Sequence, residues 1–399
     1  MNKYKVIIIG GGASGMLAAA ILSKRLGGQV AILERNDRVG KKLLATGNGQ
    51  GNIGNVDCAL SHYRGDSALI SSVFERAPQD KTLELLKQLG VLTSADERGR
   101  IYPLSRQASS VLEMLRRAYL SQGAQEIVNA HVTAIRKKGN TYALESNAGE
   151  FFADYVIFAV GGKSGNGFGT DGSSFEILRS IGHSITPLAP SLVALKADMT
   201  YLKNLKGVRI EGKIWVDKKP NICEKGDVLF TDSGISGDST FRLSARILQK
   251  FPLECKIDFL PSLTQECVDE ILVGKAKSQR FTALELLVSV THKQLAKNIL
   301  RMIGQKEESI ASLELAKACA KIIKNFPLMI VATAGFGVSQ VTKGGIPSNE
   351  VSMGLESNLA RSVYICGEAL DVDGDCGGYN LQWAFASATV VASEIDKRI

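Results

Sequence analysis

The sequence is poor in the residues that build metal centres and disulfide frameworks. Its seven cysteines (58, 223, 255, 267, 319, 366 and 376) form no Cys-x-x-Cys pair and are odd in number. That excludes a disulfide scaffold, a zinc cluster and a vicinal redox dithiol, and it fits a reducing cytoplasm. Four histidines without a His-Glu-x-x-His leave a metal site little to be built from. No run of five Lys or Arg occurs, and the densest clusters (Arg136-Lys137-Lys138, Lys41-Lys42, Lys218-Lys219) lack interleaved aromatics. The net charge of +8 is therefore expected to serve solubility and an anionic cofactor, with no nucleic-acid partner. Internal repeats and low-complexity tracts are absent.

Val6 to Ser23 runs long without charge near the start of the chain, and Gly10-Gly11-Gly12 sits in its first half, where each glycine would cost a helix ~1 kcal/mol. A signal peptide or membrane span is a poor reading of it. A cytoplasmic chain with no membrane partner is expected. With 399 residues, 45% hydrophobic and 22% charged, the chain is globular and long enough for two or three domains.

Periodicity predicts a strand over 4–9, a helix over 15–26 and a strand over 30–34, a β-α-β unit of a doubly wound parallel sheet. Helices are predicted over 80–90 and 108–122. Strands follow over 126–135, 141–146, 150–154 and 155–160, then a glycine-rich loop over 161–172. Residues 190–260 alternate apolar and polar positions, as in an antiparallel sheet or barrel. Residues 263–325 switch to helical periodicity between Pro261 and Pro327, with Ala283 to Ile303 and Ile310 to Ile323 as the clearest helices. A strand over 362–366 and a helix from Gly378 to Ile395 return to the opening pattern. The fold class is α/β: a Rossmann-like domain from both chain ends (1–188 and 346–399), a β-rich domain (189–262 and 326–345) and an inserted helical domain (263–325).

Gly10-x-Gly12-x-x-Gly15 lies directly between the first strand and the first helix. Its glycines serve the tight turn, room for a pyrophosphate, and close helix–strand packing, and the helix N-terminus supplies N–H groups to the phosphates. Glu34, 19 residues after Gly15, ends the second strand, where a carboxylate can accept bonds from both adenine-ribose hydroxyls. A carboxylate there disfavours NADP. The choice of FAD over NAD comes from the far end, where Cys366-Gly367-Glu368 closes a strand and Gly374 to Gln382 opens the last helix. A second helix N-terminus suits a long cofactor whose other end carries an electron-rich ring. Gly167 to Gly172 repeats the glycine spacing but begins seven residues past its strand, with Ser191 in place of an acidic partner. It is expected to pack against the flavin region.

Together, several stretches resemble a known family. They are Gly10–Gly15, Gly40 to Gly49, Arg100-Ile101-Tyr102-Pro103, Gly161-Gly162-Lys163-Ser164, Leu229-Phe230-Thr231 with Gly234 to Gly237, and Gly367 to Asp371 through Asn380 to Ala384. The family is the bacterial three-domain flavoproteins called YhiN-like or aminoacetone-oxidase-like, which include the bile-acid-dehydroxylation flavoproteins. The resemblance implies FAD. It places Ala13, Ser14, Glu34 and Arg35 at the pyrophosphate and adenosine end, and Val132 at the adenine through its backbone. Lys42, Leu43, Gly47, Asn48 and Gly49 would lie along the cofactor, with Gly161 and Gly162. Gly367, Glu368, Asp373, Asn380, Leu381 and Gln382 would line the flavin end.

The chain departs from the family twice. Gln50-Gly51-Asn52 stands where Arg-Cys-Asn is usual, removing a cation and a thiol from a loop near the flavin. Asp238 replaces a proline, as either a solvated loop residue or a contact for a cationic substrate.

The expected activity is FAD-dependent oxidation of a small-molecule substrate, by resemblance an aminoketone, with oxygen as acceptor and peroxide as product. Two alternatives are an NAD(P)H-dependent flavin reductase and a flavin-containing nucleic-acid-modifying protein. Flavin chemistry needs little covalent help from side chains, so no catalytic residue is assigned. Tyr102, Phe336, Tyr379 and Trp383 are candidate pocket walls or ordinary core. The sequence sets neither the substrate nor the oligomeric state.

Overall fold

Val6-Ile7-Ile8-Ile9 has no polar face to offer water. In the computed structural model, which describes residues 2–247, 250–278 and 280–399, it lies mid-sheet. β1 (Asn2–Ile9) pairs in parallel with β2 (Val30–Leu33), and α1 (Ala13–Leu26) makes the crossover. Strands covered on both faces read as continuous apolar runs. A two-residue strand, β3 (Tyr63–Arg64), follows. α2 (Ala108–Leu120) buries Val111, Leu112, Leu115 and Tyr119 on one face.

The single strand expected over 126–135 is two. β4 (Gln125–Ile127) runs parallel to β2, whereas β5 (Val132–Lys138) runs antiparallel to β6 (Thr141–Ser146). Between them the backbone is committed elsewhere: Glu34 N–H donates to Ile127 O, and Ala130 N–H to Glu34 O. Conversely, the two strands expected over 150–160 are one, β7 (Gly149–Phe158), because β1 pairs with it without a break from Asn2↔Phe151 to Ile9↔Phe158.

The chain forms two compact units, Met1–Pro190 with Gln340–Ile399, and Ser191–Ser339. In the second unit, β8 (Leu195–Ala197), β9 (Arg209–Val216), β10 (Lys219–Phe230), β11 (Gly234–Ser236), β12 (Leu253–Asp258) and β13 (Phe326–Thr333) close a barrel in the order β8-β11-β10-β9-β12-β13. A helix absent from the sequence reading, α3 (Asp238–Arg246), follows β11. Asp238, the first residue of α3, is ion-paired with Arg242, one turn on. It is therefore a helix-stabilising carboxylate, which accounts for it without a cationic substrate.

Among the described residues four helices, α4 (Gln265–Ser278), α5 (Ala283–Val288), α6 (Lys293–Met302) and α7 (Leu313–Lys324), lie between β12 and β13. The helix expected over 283–303 breaks because each half carries its own cap: Thr282 and Glu285 form a capping box on α5, and His292 Nδ1 accepts from Gln294 N–H at the start of α6. Leu272, Leu286, Ile299 and Ile323 from these helices share one hydrophobic cluster with Phe230, Ile257 and Phe326 of the barrel.

The last segment rejoins the first unit. β14 (Val363–Ile365) pairs in parallel with the second half of β7, completing a seven-stranded sheet of order β4-β2-β1-β7-β6-β5 with β14 beside β7. β15 (Asp373–Gly374) pairs antiparallel with β3. α8 (Tyr379–Asp396) packs against α1. Among the described residues no helix is long and apolar enough to cross a membrane, and no cluster of His, Cys, Asp or Glu could hold a metal ion.

Candidate functional site: a dinucleotide-binding cleft

The three motif glycines are required for three different reasons. Gly10 has φ of +102°, and a Cβ there would lie 2.5 Å from Ala159 O. A Cβ on Gly15 would collide with Gly10 O, so this glycine lets α1 close on the strand. A Cβ on Gly12 would meet nothing within 4 Å. Packing therefore leaves Gly12 open at the uncapped N-terminus of α1, as backbone that a phosphate must approach would need to be. Ala13 opens that helix, and Ser14 is buried behind it.

Glu34 is 7% exposed. Its Oε2 accepts from Gly11 N–H at 2.8 Å, and its Oε1 accepts from Asn36 N–H at 2.8 Å and Asn36 Nδ2 at 2.7 Å. A carboxylate offers about four acceptor positions, so the carboxylate is locked in place with capacity left on Oε2. Arg35 turns away from it. Its Nη1 donates to Asp171 at 2.7 Å, Ser173 at 3.0 Å and Gly169 O at 3.2 Å. Burial pushes the Asp171 carboxyl up, but the bonds from Arg35 and Ser173 outweigh it and hold the group below the usual carboxylate range. The Gly167–Gly172 loop thus packs on Arg35 and Asn36 at the Glu34 end. Val132 opens β5 and is buried, two residues past Ala130.

Lys42 and Glu368, more than 300 residues apart, form an ion pair at 2.6 Å. Glu368 Oε1 also accepts from Thr342 N–H, and Thr342 Oγ1 accepts from the N–H groups of Lys163 and Ser164. A Cβ on Gly162 would collide with Thr342, and one on Gly161 would reach Thr170 at 2.9 Å. Leu43 is buried. Gly47, Asn48 and Gly49 have φ of +57°, +54° and +84°, a consecutive left-handed stretch packed beside Tyr102. Gln50 is exposed, and Gly51 has φ of +74°, a conformation that a cysteine would adopt only with strain.

At the other end, Gly367 has φ of +71°, and a Cβ would meet Ser14 Oγ at 2.9 Å. The first and last glycine segments therefore touch. Burial pushes the neighbouring Cys366 thiol up to about 12, leaving it a packing group. Asn380 is turned onto its own loop: Oδ1 accepts from Gly374 N–H at 2.8 Å, and Nδ2 donates to Gly374 O at 2.9 Å. Gln382 Oε1 accepts from Asn55 N–H at 3.2 Å, whereas its Nε2, with Asn52 Oδ1 and Arg64 Nη2, is buried without a hydrogen-bond partner. Three orphaned polar atoms around the start of α8 are donors and an acceptor suited to a polar ring system, and they fit the cofactor's ring end. Leu381 is half-buried.

Asp373 is 2% exposed and ion-paired to Arg64 at 2.9 Å. Arg64, His62, Asn55 and Thr342 carry no motif, and the sequence reading missed them. Nothing in one sequence links the first three to partners more than 300 positions away, or Thr342 to Lys163 and Ser164. Trp383 is 2% exposed and donates to Gly367 O, so it is core rather than a pocket wall. Tyr379 and Tyr102 are also buried, with Arg100 and Arg106 over the Tyr102 ring at 5.7 and 4.3 Å. Phe336 is half-buried in the second unit.

Residues 4–394 match the HI0933-like protein Rossmann domain. The chain is 35% identical to a 3-dehydro-bile acid delta(4,6)-reductase of Clostridium scindens, over 97% of each chain. It is 28% identical to a ribosomal RNA dihydrouridine synthase of Haemophilus influenzae, over 100% of each. In fold it resembles a 3-ketosteroid delta1-dehydrogenase of Sterolibacterium denitrificans (TM-score 0.54, 12% identity, 100% of each chain). It also resembles a 3-ketosteroid-delta4-(5alpha)-dehydrogenase of Rhodococcus jostii (TM-score 0.52, 14% identity, 98% of this chain and 97% of that one). With the glycine loop, Glu34 and the second helix N-terminus in place, the chain belongs to the HI0933-like Rossmann family and is an FAD-dependent oxidoreductase.

Proposed function

We propose that the protein reduces a carbon–carbon double bond conjugated to a carbonyl. One observation carries the reading: two full-length relatives are named for products of that chemistry, a reduced bile-acid diene and dihydrouridine. Both substrates present an alkene polarised by a carbonyl, which accepts hydride at its β-carbon and a proton at its α-carbon. The oxidation of a small amine, implied by family resemblance, has no counterpart in these two names, and the proposal moves from oxidation to reduction.

FAD, once reduced by a two-electron donor from solution such as a nicotinamide, would supply the hydride, and solvent water would supply the proton. The chain's own residues bind and orient the cofactor. The Gly10–Gly15 loop and the N-terminus of α1 would take the pyrophosphate, and Glu34, with one acceptor position left on Oε2, would accept one ribose hydroxyl rather than the two expected. The ion pair of Lys42 and Glu368 holds the middle of the cleft together. Gln382 Nε2 and Arg64 Nη2 offer donors at the ring end, and the buried aromatics Tyr379 and Trp383 back the site and keep water from it. Burial, then the carboxylates of Asp57 and Asp375, push Tyr379 up to about 12, so its phenol keeps its proton at neutral pH.

The test is made under argon. The bound flavin is photoreduced, and a conjugated 3-keto steroid diene or a uridine-containing RNA fragment is added. Rapid reoxidation with one equivalent of either supports the proposal. Bleaching of the oxidised enzyme by primary amines, with no reoxidation by either alkene, restores the amine oxidase.

A further inference from the structure

His62 lies in a segment with no motif, yet it is the most fully engaged side chain at the ring end. Its Nδ1 faces Asp375 Oδ2 at 3.0 Å, and its Nε2 faces Asp57 Oδ2 at 2.9 Å. Its ring stacks on Tyr379, centroids 4.4 Å apart and planes 19° from parallel. Asp375 N–H donates to His62 O, and Asp375 Oδ1 accepts from Arg64 Nη1 at 2.6 Å. Ionised carboxylates only accept, so a neutral imidazole would turn a lone pair toward one of them. Donating to both carboxylates therefore requires protons on both ring nitrogens. With Arg64 and Asp373, the cluster then holds two cations against three carboxylates.

We propose that His62 is a positioning residue: as an imidazolium clamped between Asp57 and Asp375, it fixes the Gly374–Gly378 loop and hence the start of α8, where the flavin ring is read to lie. The inference rests on the cofactor placement of the preceding section. Arg64, which donates to Asp373 and Asp375, and Asn55 Nδ2, which donates to Gly377 O, hold the same loop beside His62. Asn380 ties it only to its own helix, whereas the pairs from His62 and Arg64 reach across the β3–β15 ribbon. The groups facing His62 are Asp57, Asp375 and Tyr379, with Arg64, Tyr63 and Cys58 beyond them. Burial pulls the imidazole down, but the bonds to Asp375 and Asp57 prevail and raise it above the ordinary histidine value. A raised folded-state value means that the stabilisation is complete below about pH 6.5 and is lost as pH rises through the folded-state value.

Two measurements on the full-length protein test this. The first is a nitrogen-15 histidine titration of the wild type, with His62 assigned by its through-space contact with the stacked Tyr379 ring. Both ring nitrogens are expected to be protonated at neutral pH, with a midpoint well above the ordinary one. A neutral tautomer at pH 7 would overturn the proposal whether or not the variant folds. The second is FAD affinity by flavin fluorescence across pH. His62→Gln is expected to bind about tenfold more weakly than wild type near pH 6, the loss of a charge-assisted bond. The two should converge above the folded-state midpoint. Equal affinities throughout, or a constant ratio at every pH, would refute positioning by the charged ring. Absence of FAD from the wild type would instead count against the cofactor reading, and the histidine titration would still stand alone.

Discussion

The two ends of the cofactor cleft are built by different physics. At the Glu34 end, the constraints are steric and local: Gly10 and Gly15 are forced by backbone within a few ångströms, Gly12 is left open, and the single carboxylate is held by the backbone of Gly11 and the residue two positions on. At the α8 end, the constraints are electrostatic and non-local: His62 and Arg64 meet Asp373 and Asp375 across more than 300 residues. The comparison teaches that a dinucleotide cleft can be rigid at one end because nothing else fits, and at the other because charges are paired.

Substitutions can break this contrast. The largest effect is expected at Gly15. Gly15→Val drives a side chain into Gly10 O and should cost about 3 kcal/mol or more, read as loss of soluble protein or a large fall in Tm. Gly12→Val, with open space at its Cβ, should leave the apoprotein's Tm within a few degrees while abolishing the yellow colour. If Gly12→Val keeps its full flavin content, the pyrophosphate does not sit at this loop.

Next comes Arg64→Leu, which strands the buried Asp373 carboxylate. Breaking one side of a buried pair costs about 3 kcal/mol, measurable by urea unfolding. Arg64→Leu with Asp373→Asn should recover much of the loss. If the double variant is no more stable than the single one, the pair is not what holds β3 to β15.

Glu34→Gln should fold normally and weaken FAD about tenfold to a hundredfold, since it removes charge from three donors and from the ribose contact. Equilibrium dialysis measures this directly, and unchanged affinity would remove Glu34 from the adenosine site.

The smallest effect is expected for Asp57→Asn. Its side chain is 63% exposed, and exposed pairs contribute little. The side-chain bond from His62 holds the Asp57 carboxyl below its ordinary range. Its contribution is therefore present above the ordinary carboxylate value and lost as pH falls through the lowered one. Wild type and Asp57→Asn should converge in Tm in acid. A gap that widens there would contradict the pairing.

Legibility in the sequence followed the same division. Gly10, Gly12, Gly15 and Glu34 could be assigned roles because strand, turn, helix and carboxylate lie within one β-α-β unit, where spacing implies geometry. The barrel was legible as alternation, but α3 was hidden inside it, since a nine-residue helix begun by an Asp238–Arg242 pair leaves little trace in a period-two pattern. Trp383 read equally well as pocket wall or core, and only its bond to Gly367 O and its burial decided for core.

The amino-acid order by itself determined the parallel β-α-β opening, the open backbone at Gly12 and the acidic partner at Glu34, because these depend on neighbours in sequence and on steric limits that every chain obeys. Tertiary structure alone decided that Ser14 touches Gly367, that Lys42 pairs with Glu368 and that His62 lies between Asp57 and Asp375. Charge pairing acts through space over a few ångströms and leaves no periodic signature along the chain, so it became visible only once β3 and β15 were side by side.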